Sequence, residues 1–167
     1  MVHDSLSRAV REYLKASSTE EYVRLQGVAG ECWEKMVSQT SSLWDHLEAR
    51  HHYMEAVMYD KAAAIVENTT EYLHRWGYTK LALRLNQETV ETATKDSSKG
   101  IAFHHLGLTY YLQGDYDKAL EMYEQSLKTF RDLTDQLGIA NSLHQIGIIY
   151  QDHNNTCLGR SIRNATP

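Results

Sequence analysis

The sequence has a single proline, Pro167, which is its last residue. Because proline removes a backbone donor and clashes inside a helix, its absence elsewhere leaves helix permitted along the whole chain. Long apolar runs are missing too: a run such as 62–66 falls far short of the roughly 20 residues that cross a bilayer. These absences favour an all-α protein and argue against a membrane partner.

A surplus of basic residues is also missing. Lys and Arg number 17 against 22 for Asp and Glu, with a formal net charge of −5, and the two signs are interspersed. Binding to a nucleic-acid backbone needs a basic face that displaces counterions, so we expect no direct nucleic-acid partner. The start of the chain lacks the basic region and apolar core of a secretory signal, which makes a cytoplasmic location the default expectation.

Motifs for catalysis and metal binding are absent as well. The sequence has no Gly-x-Ser-x-Gly and no Gly-x-x-x-x-Gly-Lys loop, and Cys32 and Cys157 stand far apart. Nine histidines are present, but neighbours such as His104 and His105 point about 100° apart on a helix and do not readily share an ion. We therefore expect no enzyme, no cofactor and no metal, with imidazoles that are partly buried or line a groove.

Apolar residues recur at steps of three and four, which is the period of a helix, and no stretch alternates as a half-buried strand does. A capping box at Ser18 and Glu21 and left-handed turns at Gly77 and Gly114 mark three helix ends. The predicted breaks between helices lie at 15–19, 39–42, 57–59, 76–78, 95–99, 113–115 and 134–136. Connections this short favour antiparallel helical hairpins.

The chain repeats itself. Leu106-Gly107 followed by Tyr110 recurs as Ile146-Gly147 followed by Tyr150, a displacement of 146 − 106 = 40 residues. Two further segments, Gly100-Ile101-Ala102 and Gly138-Ile139-Ala140, match if the second copy carries two extra residues. A unit of this kind does not bury its apolar face alone and must stack on neighbours.

Between the two copies, Gly114 allows a tight turn, Tyr116 fills the hairpin junction and small Ala119 permits close helix approach. These residues, with the repeated Leu-Gly and Tyr positions, resemble the tetratricopeptide repeat (TPR) family in its longer variant of about 40 residues. The resemblance implies a right-handed α-solenoid of antiparallel hairpins with about seven or eight helices, and a non-enzymatic scaffold that binds a protein or peptide.

Residues 49–53 and 72–78 are similar to the degenerate leading repeats of bacterial STAND-type (NB-ARC-like) regulators, and Val2-His3-Asp4 is similar to the end of their winged-helix part. This implies an alternative function, the sensor arm of an ATPase signalling or transcriptional switch. We predict a helical segment over 1–40, TPR-like repeats over 41–155 and an irregular tail over 156–167. The repeat pattern fails after Asn155, so an uncovered last helix also makes a homodimer possible.

In TPR proteins the first helix of each hairpin lines the concave, ligand-binding face. Carried onto this sequence, that face comprises Ile101, His104, His105, Leu108, Asn141, His144, Gln145 and Ile148. Relatives often have asparagine where this chain has His105 and Gln145, but imidazole and amide groups also donate and accept hydrogen bonds. The alternative for all eight residues is that they only form the solvent-exposed surface of a concave wall and bind no ligand.

Overall fold

The computed structural model describes residues 11–40 and 42–164. This part of the chain contains eight helices and no strand: α1 (residues 11–17), α2 (Thr19–Thr40), α3 (Leu43–Glu55), α4 (Tyr59–Arg75), α5 (Thr79–Thr92), α6 (Asp96–Gln113), α7 (Tyr116–Asp132) and α8 (Gln136–Asn164). The all-α, TPR-like prediction is confirmed. The predicted breaks at 57–59, 76–78, 113–115 and 134–136 agree with the observed ones to within one residue. Those predicted at 15–19 and 39–42 begin too early, because α1 continues to residue 17 and α2 to Thr40.

Two further predicted boundaries are wrong. The break expected at 95–99 lies at 93–95, because Lys95 is still extended while Asp96 already begins α6, where a carboxylate in the first turn favours the helix. The tail expected to be irregular over 156–167 is helical as far as Asn164, and residues 165–167 lie outside the described residues. No proline interrupts the backbone ladder of α8, so the helix continues although the repeat pattern has ended.

The short turns have the local chemistry that the sequence predicts. Gly77 and Gly114 both adopt a left-handed conformation with φ of +79°, which a residue with a Cβ rarely adopts. After Gly114, the carboxylate of Asp115 accepts the Lys118 backbone N–H at 3.3 Å and so caps α7. The Ser18 hydroxyl likewise accepts the Glu21 N–H at 3.3 Å. The second half of the predicted capping box does not form, because the Glu21 carboxylate accepts from Arg24 and the Ser18 N–H donates to the Leu14 carbonyl. Because the loops between helices are this short, successive helices run antiparallel.

The helices form two compact units that divide between Thr69 and Thr70. In the first unit α2 packs against α3, so the predicted segment 1–40 joins the start of the predicted repeats. Close approach of the two helices depends on Gly30, where an added Cβ would lie 2.7 Å from the Tyr53 ring. The core of this unit comprises Ala49, Tyr53, Ala62 and Ile65, with Trp33 and Met54 packed against it.

The second unit is arranged around α6, which contacts α5, α7 and α8. Its core contains Ala119, Tyr123 and Ile149, and apolar residues of α6, α7 and α8 pack against them. The centre of the α6–α7 contact is Gly107, because a Cβ added there would lie 2.9 Å from three atoms of the Tyr123 ring. Both units thus contain a glycine that packs against a buried tyrosine ring, Gly30 against Tyr53 and Gly107 against Tyr123.

The two glycines that repeat in the sequence, Gly100 and Gly138, face the same ring. A Cβ added to Gly100 would lie 3.1 Å from Phe130 of α7, and one added to Gly138 would lie closer still. Beside them, the Ser126 hydroxyl donates to the Gly100 carbonyl at 2.9 Å and lies 3.2 Å from the Ser142 hydroxyl. Phe130 and Ser126 therefore join both α6 and α8 to α7.

Candidate functional site

The eight residues predicted to line a binding face lie on two helices that contact each other, α6 and α8. The four on α6 are half-buried: Ile101, His104, His105 and Leu108. On α8, Asn141 and His144 are exposed, whereas Gln145 and Ile148 are half-buried. The structure therefore places the two sets on neighbouring helices but gives them different access to solvent.

His104 lies against α7. Its ring packs edge-on to Tyr123, with 5.2 Å between ring centroids and 69° between the ring planes. Burial lowers the pKa of His104 below its ordinary value, so the imidazole is neutral at neutral pH. Leu108, one turn further along α6, also packs against the core that contains Tyr123. Part of each of these two side chains is therefore used in packing against α7, and only the remaining part is accessible to a ligand.

His105 is the more enclosed of the two adjacent histidines. Burial, together with smaller effects of the nearby imidazoles of His104 and His74, lowers the pKa of His105 to about 4. Its Nδ1 atom is buried and has no hydrogen-bond partner among the described residues. Most of the His105 side chain therefore faces the helix packing rather than solvent.

A third histidine, His74 near the end of α4, belongs to the same cluster and was missed by the sequence analysis. Its Nε2 atom lies 2.8 Å from the Thr109 hydroxyl, which itself donates to the His105 carbonyl at 2.7 Å. Because that hydroxyl has only one proton to donate, Nε2 of His74 must be the protonated nitrogen. Burial lowers the pKa of His74, so this imidazole is also neutral.

A second polar contact that the sequence analysis missed joins α4 and α5. The side-chain amide of Asn86 donates to the Thr70 hydroxyl at 3.0 Å and to the Ala82 carbonyl at 2.9 Å. Thr70 and Asn86 are 86 − 70 = 16 residues apart, and Gly107 and Tyr123 are also 123 − 107 = 16 apart. A polar pair thus replaces the glycine–tyrosine contact, and this common separation is the signal that could have revealed it.

The histidines do not converge on a common point. No group of three or more His, Cys, Asp or Glu side chains in the described part of the chain is placed to hold a metal ion. Among the described helices, none is both long and apolar enough to cross a membrane. What the candidate face offers instead is neutral imidazole, amide and aliphatic groups.

Comparison with known families places the repeat on the same helices. Residues 98–156 match the family model described as tetratricopeptide repeat, which is about a third of the chain. The matched part covers nearly all of α6, all of α7 and more than half of α8, and it contains all eight residues of the candidate face. The match supports a TPR-type protein. No curated protein matches the chain.

Proposed function

We propose that this chain is a non-enzymatic scaffold that binds a protein or peptide segment along the candidate face of α6 and α8. The TPR match supports this class of function, because TPR proteins are interaction modules. Stacked helical hairpins make an extended binding surface without a specialised loop, which is consistent with the short turns of this chain.

The observation that carries the proposal is the chemistry of the exposed part of this face. Asn141 and His144 are open to solvent, and Ile148, one turn after His144, is half-buried. The amide of Asn141 can donate and accept, and an imidazole has two ring nitrogens for the same purpose, as the N–H and C=O groups of a peptide backbone require. An aliphatic residue beside them gives the ligand's side chains apolar area to cover.

The face is also free of formal charge. Residues 100–113 of α6 and 136–151 of α8 contain no Asp, Glu, Lys or Arg. Binding therefore rests on hydrogen bonds and apolar contact, so we expect the affinity to change little with ionic strength. A ligand whose affinity falls steeply with added salt would bind somewhere else.

The test uses a displayed peptide library selected on the full chain. Selected peptides are then titrated into the wild type and into a double variant, Asn141→Ala with His144→Ala. The loss of two hydrogen-bonding groups should weaken binding by about tenfold or more. The matched control is Glu121→Ala with Glu124→Ala, which changes two exposed residues of α7 and should bind as the wild type. Equal binding by the wild type and the first variant would contradict the proposal.

A second candidate function is the sensor arm of a STAND-type (NB-ARC-like) switch built from the longer, about 40-residue class of repeat. It is favoured by the similarity of 49–53 and 72–78 to the leading repeats of such regulators, whereas Val2-His3-Asp4 lies outside the described residues. The test is the sequence encoded immediately upstream. A nucleotide-binding module that ends in a winged helix supports this function, and an unrelated gene contradicts it.

A further inference from the structure

Helix α8 has the composition of a helix that is covered on two sides. Its residues 136–151 contain no Asp, Glu, Lys or Arg, like residues 100–113 of α6. Helix α6 lies between α5 and α7, so its neutral sides are covered. A helix with one side in water normally carries charges there, as α7 does with Glu121, Glu124 and Lys128. The neutral composition of α8 therefore indicates a second packed side.

The repeat identifies which side this is. Phe103, Gly107 and Tyr110 of α6 correspond to Leu143, Gly147 and Tyr150 of α8 at the 40-residue displacement. On α6, the Tyr123 ring of α7 covers Gly107. On α8, a Cβ added to Gly147 would meet no atom within 4 Å.

The residues one turn before and one turn after Gly147 on the same side of α8 are exposed. The exposed fraction is 47% for Leu143 and 56% for Tyr150, and Ala140 is exposed as well. We call these four residues, Ala140, Leu143, Gly147 and Tyr150, the outer face of α8. They lie at helical spacing, so they form one continuous apolar strip. Large and small side chains are combined within it.

We propose that the outer face of α8 joins two copies of this chain, with α8 packed antiparallel on α8 of the second copy. In a single antiparallel register about residue 145, Leu143 faces the partner's Gly147 and Ala140 faces the partner's Tyr150. Both pairs form together, because the two members of each pair are equally distant from residue 145. Each large side chain then meets a small one, and twofold symmetry repeats both contacts.

The same kind of contact already exists inside the chain. Gly107 of α6 receives the Tyr123 ring, and the partner's Leu143 would cover Gly147 in the same way. In a symmetric contact, a charged residue near the twofold axis lies close to the same residue of the second copy and is repelled by it. Residues 136–151 contain no Asp, Glu, Lys or Arg, so this repulsion does not arise. A second copy therefore supplies both the shape and the neutrality that this face requires. One helix pair is smaller than a standard interface of about 1,600 Å², so we expect a dissociation constant in the micromolar range.

Light scattering and sedimentation of the full chain, across concentrations on both sides of the micromolar range, test the proposal. The mass should rise from 19.2 kDa towards twice that value. Leu143→Glu and Gly147→Glu bury a charge at the contact and should raise the dissociation constant at least tenfold. Leu112→Glu changes an exposed leucine of α6 and should dimerise as the wild type. A wild type that stays monomeric, or dimers that tolerate Leu143→Glu, would overturn the proposal.

A cross-linking experiment tests the register separately. Leu143→Cys and Gly147→Cys are made in a background of Cys32→Ser and Cys157→Ser, so that no other thiol is present. The antiparallel register brings residue 143 of one copy against 147 of the other, within reach of a disulfide. A mixture of the two variants should therefore cross-link under mild oxidation, and neither variant alone should do so. Cross-linking of a single variant, or none in the mixture, would overturn this arrangement. Circular dichroism of each variant verifies that it is folded.

Discussion

Helices α6 and α8 carry the same repeated residues in different surroundings. Leu106 of α6 is only 3% exposed and Gly107 is covered by a tyrosine ring, whereas the equivalent Gly147 of α8 is open. Ile146 nonetheless packs against the core of the second unit, as its position in the repeat requires. One side of each repeat is thus covered by the helix before it, and the other side depends on what comes next.

The largest effect is expected where both helices depend on one ring. Phe130→Ala removes the side chain that Gly100 and Gly138 both contact, so α6 and α8 lose their shared contact with α7. We expect the free energy of unfolding to fall by about 3–5 kcal/mol, as for other buried phenylalanines. Urea unfolding followed by circular dichroism measures this. The control is Leu133→Ala in the exposed turn after α7, which should cost far less. Similar losses for the two variants would contradict the shared role of Phe130.

A smaller loss in the free energy of unfolding is expected in the α4–α5 hairpin, where Thr70 and Asn86 take the place of Gly107 and Tyr123. Asn86→Leu removes the amide that donates to the Thr70 hydroxyl in a fully buried position, and should cost about 1–3 kcal/mol. The neighbouring variant Gln87→Leu changes an exposed residue and serves as the control.

A paired replacement sharpens the same comparison. Thr70→Gly with Asn86→Tyr copies the Gly107–Tyr123 contact at the same separation of 16 residues. If the two hairpins pack alike, this double variant should be more stable than the sum of its two single variants predicts, as measured by a double-mutant cycle in urea. Simple additivity would show that the equal separation does not reflect equal packing.

The smallest effect concerns the different exposure of the histidines on α6 and α8. Burial lowers the pKa of His105 to about 4 in the folded state, against about 6.5 in an unfolded chain. Between these values the unfolded state binds more protons, so His105 makes the protein less stable as pH falls from about 6.5 to 4. His105→Gln should remove part of this loss, which we expect to be worth roughly 4 °C in Tm.

The control for this pH dependence is His144→Gln, which changes an exposed histidine of α8 that aligns with His104. Thermal unfolding at several pH values compares the two variants with the wild type. At neutral pH the His144→Gln variant should be about as stable as the wild type, because it changes an exposed side chain. An unchanged profile for His105→Gln would contradict the burial of this imidazole.

Most of the fold could be predicted because its signals are local. Gly77 and Gly114 end helices through backbone conformations that the residue type itself favours, and Asp115 caps α7 by reaching only three residues along the chain. The helical end of the chain was missed for the opposite reason. The family pattern stops after Asn155, but α8 continues to Asn164 as an extension of a helix that is already formed, and no proline interrupts it.

The surroundings of the candidate site were much harder to predict, because they depend on contacts between hairpins. His74 and Thr109 are 35 residues apart in the sequence and meet through a hydrogen bond that only the tertiary fold creates. His144 is exposed whereas the equivalent His104 is half-buried, and this difference depends on which helix covers each side, which the sequence of a repeat does not reveal. Whether the eight residues bind a polypeptide stays a prediction.

The contrast between Gly107 and Gly147 is tested most directly by Gly107→Ala and Gly147→Ala, compared in urea at a concentration where the chain is monomeric. Alanine in mid-helix is better than glycine by about 0.5–1 kcal/mol, and at Gly147 the added methyl group meets open space. At Gly107 the methyl group would lie against the Tyr123 ring and should cost about 1–3 kcal/mol net. We therefore predict opposite signs, with Gly147→Ala stabilising and Gly107→Ala destabilising. Equal changes of the same sign would contradict the claim that equivalent repeat positions differ here only in what covers them.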